Sequence, residues 1–142
     1  MLEYGLATKD DIEELIQLRI AYMIDDFGSV SEVEKDGMKK QLPSYFERKL
    51  GTEFIAFVAR DNDRIVSVAY LHIIEMPANS VLLNGLYGDV LSVYTVPECT
   101  FRPPRHHLPK VLEAVNNYTI SPMTANRKVM YDFSIIKLRR IC

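Results

Sequence analysis

The residues best equipped for chemistry fall into two groups. In the stretch 99–109, Arg102, Arg105, His106 and His107 cluster around Pro103 and Pro104, with Pro109 just beyond. Guanidinium forks match the paired oxygens of phosphates and carboxylates, so this is an anion-binding composition; a solvated basic loop is the plain alternative. No metal site is expected, because adjacent histidine side chains diverge and no cysteine or carboxylate falls at ligand spacing. The second group can hold or move protons. Asp89 follows Gly88 near the start of a long apolar run, and His72 and Glu75 close an earlier one. Position alone reads all three equally well as polar residues at strand ends.

The elements that must position these groups are legible in the hydrophobic pattern. Leu2, Tyr4 and Leu6 alternate, which predicts a strand with one buried face. Thr8 is a good N-cap, with Asp10 and Asp11 in a first turn where the helix dipole favours negative charge. Ile12, Leu15, Ile16 and Arg19 to Tyr22 continue as a helical stripe, ending near Gly28. Ser31 with Glu34 three residues on is a capping-box pattern opening a second helix. Its inward side is Val33, Met38, Leu42, Tyr45, Phe46 and Leu50; Gly37 and Pro43 interrupt it, and Gly51 stops it.

The period then changes to two. TEFIAFVAR (52–60) and RIVSVAYLHII (64–74) flank Asp61-Asn62-Asp63, a β-hairpin composition. A strand follows at 87–96, closed by Pro97 and apolar enough to be covered on both faces. Residues 110–120 predict a helix and 128–136 one more strand, so the order is β-α-α-β-β-β-α-β, with a right-handed parallel crossover in the last unit. The fold class is mixed α/β (α+β): a largely antiparallel sheet flanked by helices, with one parallel strand-helix-strand unit.

At 142 residues, with 48% hydrophobic and 25% charged, the chain has the composition of one globular domain, 1–142. No apolar run reaches the roughly 18–20 residues of a spanning helix, and the acidic N-terminus does not read as a signal peptide. Two cysteines, Cys99 and Cys142, make no disulfide framework, which points to a cytoplasmic setting. The net charge of −2 averages two unlike parts. Residues 1–98 carry 9 Lys/Arg against 17 Asp/Glu, or −8, and residues 99–142 carry 8 against 2, or +6. All six glycines precede this break. Six of the eight basic residues of the second part, Arg102, Arg105, Arg127, Lys128, Arg139 and Arg140, are scattered across loop, strand and tail without a nucleic-acid-binding module, so nucleic acid is not the expected partner.

LATKDDIEELIQLR, FIAFVARDNDRIVSVAYLHI and above all GDVLSVYTVPE (88–98) resemble the general-control-type N-acetyltransferases, over residues 2–98. In that family a strand reading close to V-Y-T-x-P-E leads into the cofactor loop. The resemblance implies transfer of acetyl from acetyl-CoA to an amine, either a small amine or an N-terminal amine. It also implies that backbone groups of Val93, Tyr94, Thr95 and Val96 pair with the pantetheine arm like an added strand. Asp89 then falls where some members place an acidic or water-organising group, and His72 and Glu75 fall toward the amine side.

After Glu98 the chain departs from the family. The expected glycine-rich loop, whose amides cradle the pyrophosphate, is replaced by Cys99 to Pro109, without glycine and with three prolines that lack an N–H. Arg102, Arg105 and His106 would have to hold the diphosphate through side chains instead. The family's last helix, with a tyrosine that protonates the leaving thiolate, and its last strands have no counterpart after residue 136. Residues 99–142 therefore read as divergent or frame-shifted, on a C-terminally truncated domain. The alternative function is an inactive relative, or remnant, serving as a binding or oligomerisation module. A sheet edge left open at 128–136 implies a homodimer or a swapped element that pairs it.

Overall fold

Extended β-branched and aromatic segments pair in chain order here, so each strand finds its partner through a short connection. The computed structural model describes residues 2–80, 83–100 and 130–132. Five strands, β1 (Leu2–Leu6), β2 (Phe54–Asp61), β3 (Arg64–Glu75), β4 (Leu86–Thr95) and β5 (Met130–Asp132), form one sheet in the order β1-β2-β3-β4-β5. The first three pairings are antiparallel and the fourth is parallel. This is the mixed sheet expected from the sequence, with its parallel pair at β4 and β5. The predicted helix at 110–120, and most of the strand at 128–136, lie outside the described residues.

Thr8 caps a 3-10 turn at Lys9–Asp11, which runs into α1 (Ile12–Phe27). The Thr8 amide donates to Asp11 Oδ2 at 2.7 Å, and Arg60 Nη2 on β2 donates to the same oxygen at 2.7 Å. The start of α1 is thereby tied to the sheet. The helix ends at Gly28 with φ +83°, where the Gly28 amide returns to the Ile24 carbonyl. Helix α2 (Glu32–Lys49) opens with the predicted capping box: Ser31 N to Glu34 Oε2 at 2.7 Å, and Glu34 N to Ser31 Oγ at 3.2 Å. Pro43 lies inside this helix without ending it.

Helices α1 and α2 pack on the sheet face that carries Phe54, Tyr70 and Leu91. Phe46 of α2 is fully buried between Phe54 and Tyr70, its ring centroid 5.9 and 6.1 Å from theirs. Tyr70 in turn donates its hydroxyl to the Leu15 carbonyl of α1 at 3.4 Å. Burial pushes that phenol well above its ordinary pKa, so it stays a neutral donor. Val33, expected inward, is 82% exposed, because contact between α2 and the core begins only at Met38.

The hairpin turn is tighter than a three-residue loop. Asp61 pairs with Arg64, leaving Asn62 and Asp63 as the two central residues with φ +48° and +68°. That is the left-handed pair which matches strand twist, adopted by residue types that tolerate it. Between β3 and β4, Gly85 is required: at φ +66°, a Cβ there would run into the Met76 carbonyl. No described helix is long and apolar enough to cross a membrane.

Two stability measurements follow. Phe46→Ala is expected to cost about 3–5 kcal/mol in urea unfolding, against less than about 0.5 for the exposed Val33→Ser. For Asp11, burial raises the carboxyl, but Arg60 and Thr8 together outweigh it and hold the group below its usual range. Its stabilisation is therefore complete above the unfolded value, about 3.9, and is lost as pH falls through the lower native value. The stability gap between wild type and Asp11→Asn should be flat from pH 7 down to roughly 5 and shrink below about 4.

Candidate active site

The site is built around an irregularity in β4. Val68 pairs with Tyr94 and Tyr70 pairs with Leu91, so β4 spends one more residue than β3 across this interval. The result is a β-bulge centred on Ser92, whose φ is +49°. A side chain in this region costs about 1 kcal/mol or more unless something holds it. Here the Arg19 guanidinium, from the middle of α1, donates to Ser92 Oγ at 2.8 Å.

The bulge resets the alternation of β4. Leu91 and Tyr94, three residues apart, both face the helices, as their partners Tyr70 and Val68 do. Tyr22 of α1 meets Tyr94 edge-on at 6.5 Å, while Leu91 lines a cleft of about 230 Å³ with Arg19, Gln41, Leu42, Tyr45, Phe46 and Phe54. On the other side of the bulge, Tyr94, Val96 and Pro97 line a second cleft of about 250 Å³ with Glu14, Leu18 and Arg64. Strand β4 was expected to be covered on both faces; only Gly88 and Val90 within it are buried. On the helix face, the clefts beside Leu91 and Tyr94 leave those two side chains partly exposed.

Asp89 lies two residues before Leu91 on the same sheet face, directly across from His72. The His72 ring packs at 5.9 Å from Phe54, which lines the first cleft, so all three belong to one neighbourhood. Asp89 Oδ1 is buried and has no hydrogen-bond partner. It is the only such side-chain atom among the described residues. An unpartnered buried carboxylate oxygen is costly, and a cationic or N–H donor is what would satisfy it. Glu75, at the far end of β3, is exposed.

Among the described residues, the other edge of β4 has a strand partner only at its start. Among the described residues, β5 pairs only with Tyr87, Gly88 and Asp89. The Val96 amide donates to the Val66 carbonyl at 2.9 Å, and Ser67 Oγ donates to the Tyr94 carbonyl at 3.2 Å. Both residues therefore turn their backbone toward β3. By strand alternation Thr95, and Val93 two residues before it, turn their amides and carbonyls to the opposite edge. An amide-bearing chain laid along that edge would find a ladder to complete. Arg102, Arg105, His106 and His107 lie outside the described residues. Tyr94 itself stays protonated: burial, then Asp25 and Glu98, push its phenol upward.

No protein-family model matches the chain, and no curated protein matches it by sequence. Solved structures do. An acetyltransferase from Clostridium acetobutylicum, described as predicted and solved with acetyl-CoA, aligns at TM-score 0.75 and 24% identity, covering 93% of this chain and 80% of that one. The fold is that of the N-acetyltransferases. A GCN5-related N-acetyltransferase from Ralstonia eutropha JMP134 gives TM-score 0.65 at 16% identity, over 93% of this chain and 83% of that one. Glucosamine-6-phosphate N-acetyltransferase from Arabidopsis thaliana gives 0.55 at 18%, over 95% and 84%.

The bulge generates its own test. Ser92→Gly relieves the positive φ and loses the Arg19 bond, so its unfolding free energy should stay within about 1 kcal/mol of wild type. Ser92→Val loses the bond and adds a β-branched side chain at that φ, and should cost about 2 kcal/mol or more by urea unfolding.

Proposed function

We propose that the chain is an acetyl-CoA-dependent N-acetyltransferase of the general-control type, acting on a small amine. The observation that carries this reading is the buried Asp89 Oδ1, two residues along β4 from Leu91 of the cleft of about 230 Å³; among the described residues it has no hydrogen-bond partner, and the far edge of its strand is paired only at the start. The fold shared with acetyltransferases of three organisms supports it.

In this reading the backbone of Val93 and Thr95 holds the pantetheine amides along the open edge of β4. Bound there, acetyl-CoA supplies an acetyl group activated as a thioester. The bulge at Ser92 turns β4 so that the acceptor cleft and the open edge meet at one point. The amine nitrogen attacks the acetyl carbonyl carbon, forming the amide bond, and the sulfur leaves with the electron pair of the broken C–S bond. As the new bond forms the nitrogen becomes acidic, and Asp89 receives its proton directly or through one water. His72 stands across the strand pair from Asp89 and packs against Phe54 of the cleft wall.

Calorimetric titration with acetyl-CoA is expected to give a micromolar dissociation constant. No heat at millimolar cofactor would overturn the proposal in favour of a non-catalytic relative. Asp89→Asn should lower kcat/KM for acetyl transfer by about 10²–10⁴-fold while leaving the acetyl-CoA dissociation constant within about threefold.

A further inference from the structure

The cleft on the helix side contains a cation with no ion-pair partner among the described residues. Arg19 stands in the middle of α1, partly buried, and its hydrogen bond goes to the neutral hydroxyl of Ser92. No carboxylate among the described residues forms an ion pair with it, whereas Arg60 and Arg64 each have one. A guanidinium carries five N–H donors, and Ser92 uses one of them. Withdrawing such a charge from water into a cleft walled by Leu42, Tyr45, Phe54 and Leu91 is unfavourable unless an anion arrives.

The opposite charge lies along the same strand. Asp89 is three residues before Ser92, so at about 3.3 Å per residue their Cα atoms are no more than about 10 Å apart. Among the described residues, a guanidinium without an anion thus lines the cleft, and a buried carboxylate oxygen without a donor lies two residues along β4 from Leu91 of its wall. The rest of that wall, Gln41 apart, is apolar and aromatic. At about 30 Å³ per water molecule, the cleft of about 230 Å³ holds the equivalent of about eight waters, the scale of a single amino acid.

We propose that Arg19 recognises a carboxylate on the acceptor, so that the amine acetylated is that of an amino acid with an apolar or aromatic side chain. This rests on the acetyl-transfer reading for the direction of the chemistry, with the ammonium toward Asp89 and the carboxylate toward Arg19. It does not rest on that reading for the recognition itself, which is a property of the cleft. Arg19 is accordingly a specificity residue.

The test is calorimetry on the full chain with L-phenylalanine and with phenethylamine, which differs only in lacking the carboxylate, each with and without acetyl-CoA. L-Phenylalanine is expected to bind about tenfold more tightly or better, as a charge-assisted bond to a planar fork implies. Arg19→Gln keeps a donor for Ser92 and removes the charge, and should bring the two ligands within about threefold of each other. Ser92→Ala removes the bond and keeps the charge, and should preserve the preference. Equal or weaker binding of L-phenylalanine, no binding of either ligand at roughly 10 mM, or equal losses for both ligands in both variants would overturn the proposal. Should Arg19→Gln fail to fold, the side-chain Nε–H resonance of Arg19 in wild type decides. It is expected to shift with L-phenylalanine and not with phenethylamine, and an unmoved resonance overturns the assignment. Discriminating binding of L-phenylalanine by a chain silent to acetyl-CoA would support the recognition and fault only the transfer reaction.

Discussion

The extra residue in β4 is the constraint on which the rest of the site depends. A regular strand would put Leu91 and Tyr94 on opposite faces and leave β4 free to pair along its whole length. One residue more than β3 requires puts both on the helix face, with a cleft on each side of Ser92. The positive φ at Ser92 is unfavourable for a residue that is neither glycine nor asparagine. A charge-assisted bond from Arg19 is of the right size to offset it, roughly 1.5–3 kcal/mol against about 1–2. The same guanidinium that stabilises the irregularity also faces the space the irregularity creates.

A rigid base makes that arrangement tolerable. Strands β2 and β3 are buried along most of their length, and the Phe46, Phe54 and Tyr70 rings lock α2 to them. The Tyr70 hydroxyl, within this apolar layer, is satisfied by the Leu15 carbonyl and so ties α1 to the same platform. Both helices are thus anchored on β2 and β3, and α1 reaches β4 as well, through the Arg19–Ser92 bond and the Tyr22–Tyr94 ring contact.

Much of the scaffold was legible because local signals agreed with one another. The Ser31–Glu34 box, Asn62-Asp63 at the turn and the period-two strings around it each name their element without help from the rest of the chain. The parallel pairing of β4 and β5 followed from element order alone. Arg19 was the residue that sequence reasoning missed: it was counted in the apolar stripe of α1, although a charge inside such a stripe is itself a signal that something polar lies opposite. Ser92 gave none, since a bulge is usually flagged by glycine and this one is held by a residue 73 positions away. The same holds for Tyr45 and Phe54, whose types fit a closed core as well as a cleft wall. Asp89 was found through the family resemblance. That its inner oxygen is orphaned depends on how four strands pack, which no spacing along the chain encodes.

Pro43 gives α2 a property that matters in mechanical terms. Having no N–H, it cannot bond the carbonyl of Lys39, so the helix lacks one rung beside the cleft. Gln41 and Leu42 line the cleft from just before this joint, and Tyr45 and Phe46 from just after it. With Phe46 clamped in the aromatic layer, bending at the missing rung moves the earlier half of the wall against a fixed later half. The helix wall of the cleft is thereby its more compliant side, facing a sheet whose ladder has no such missing rung at Phe54.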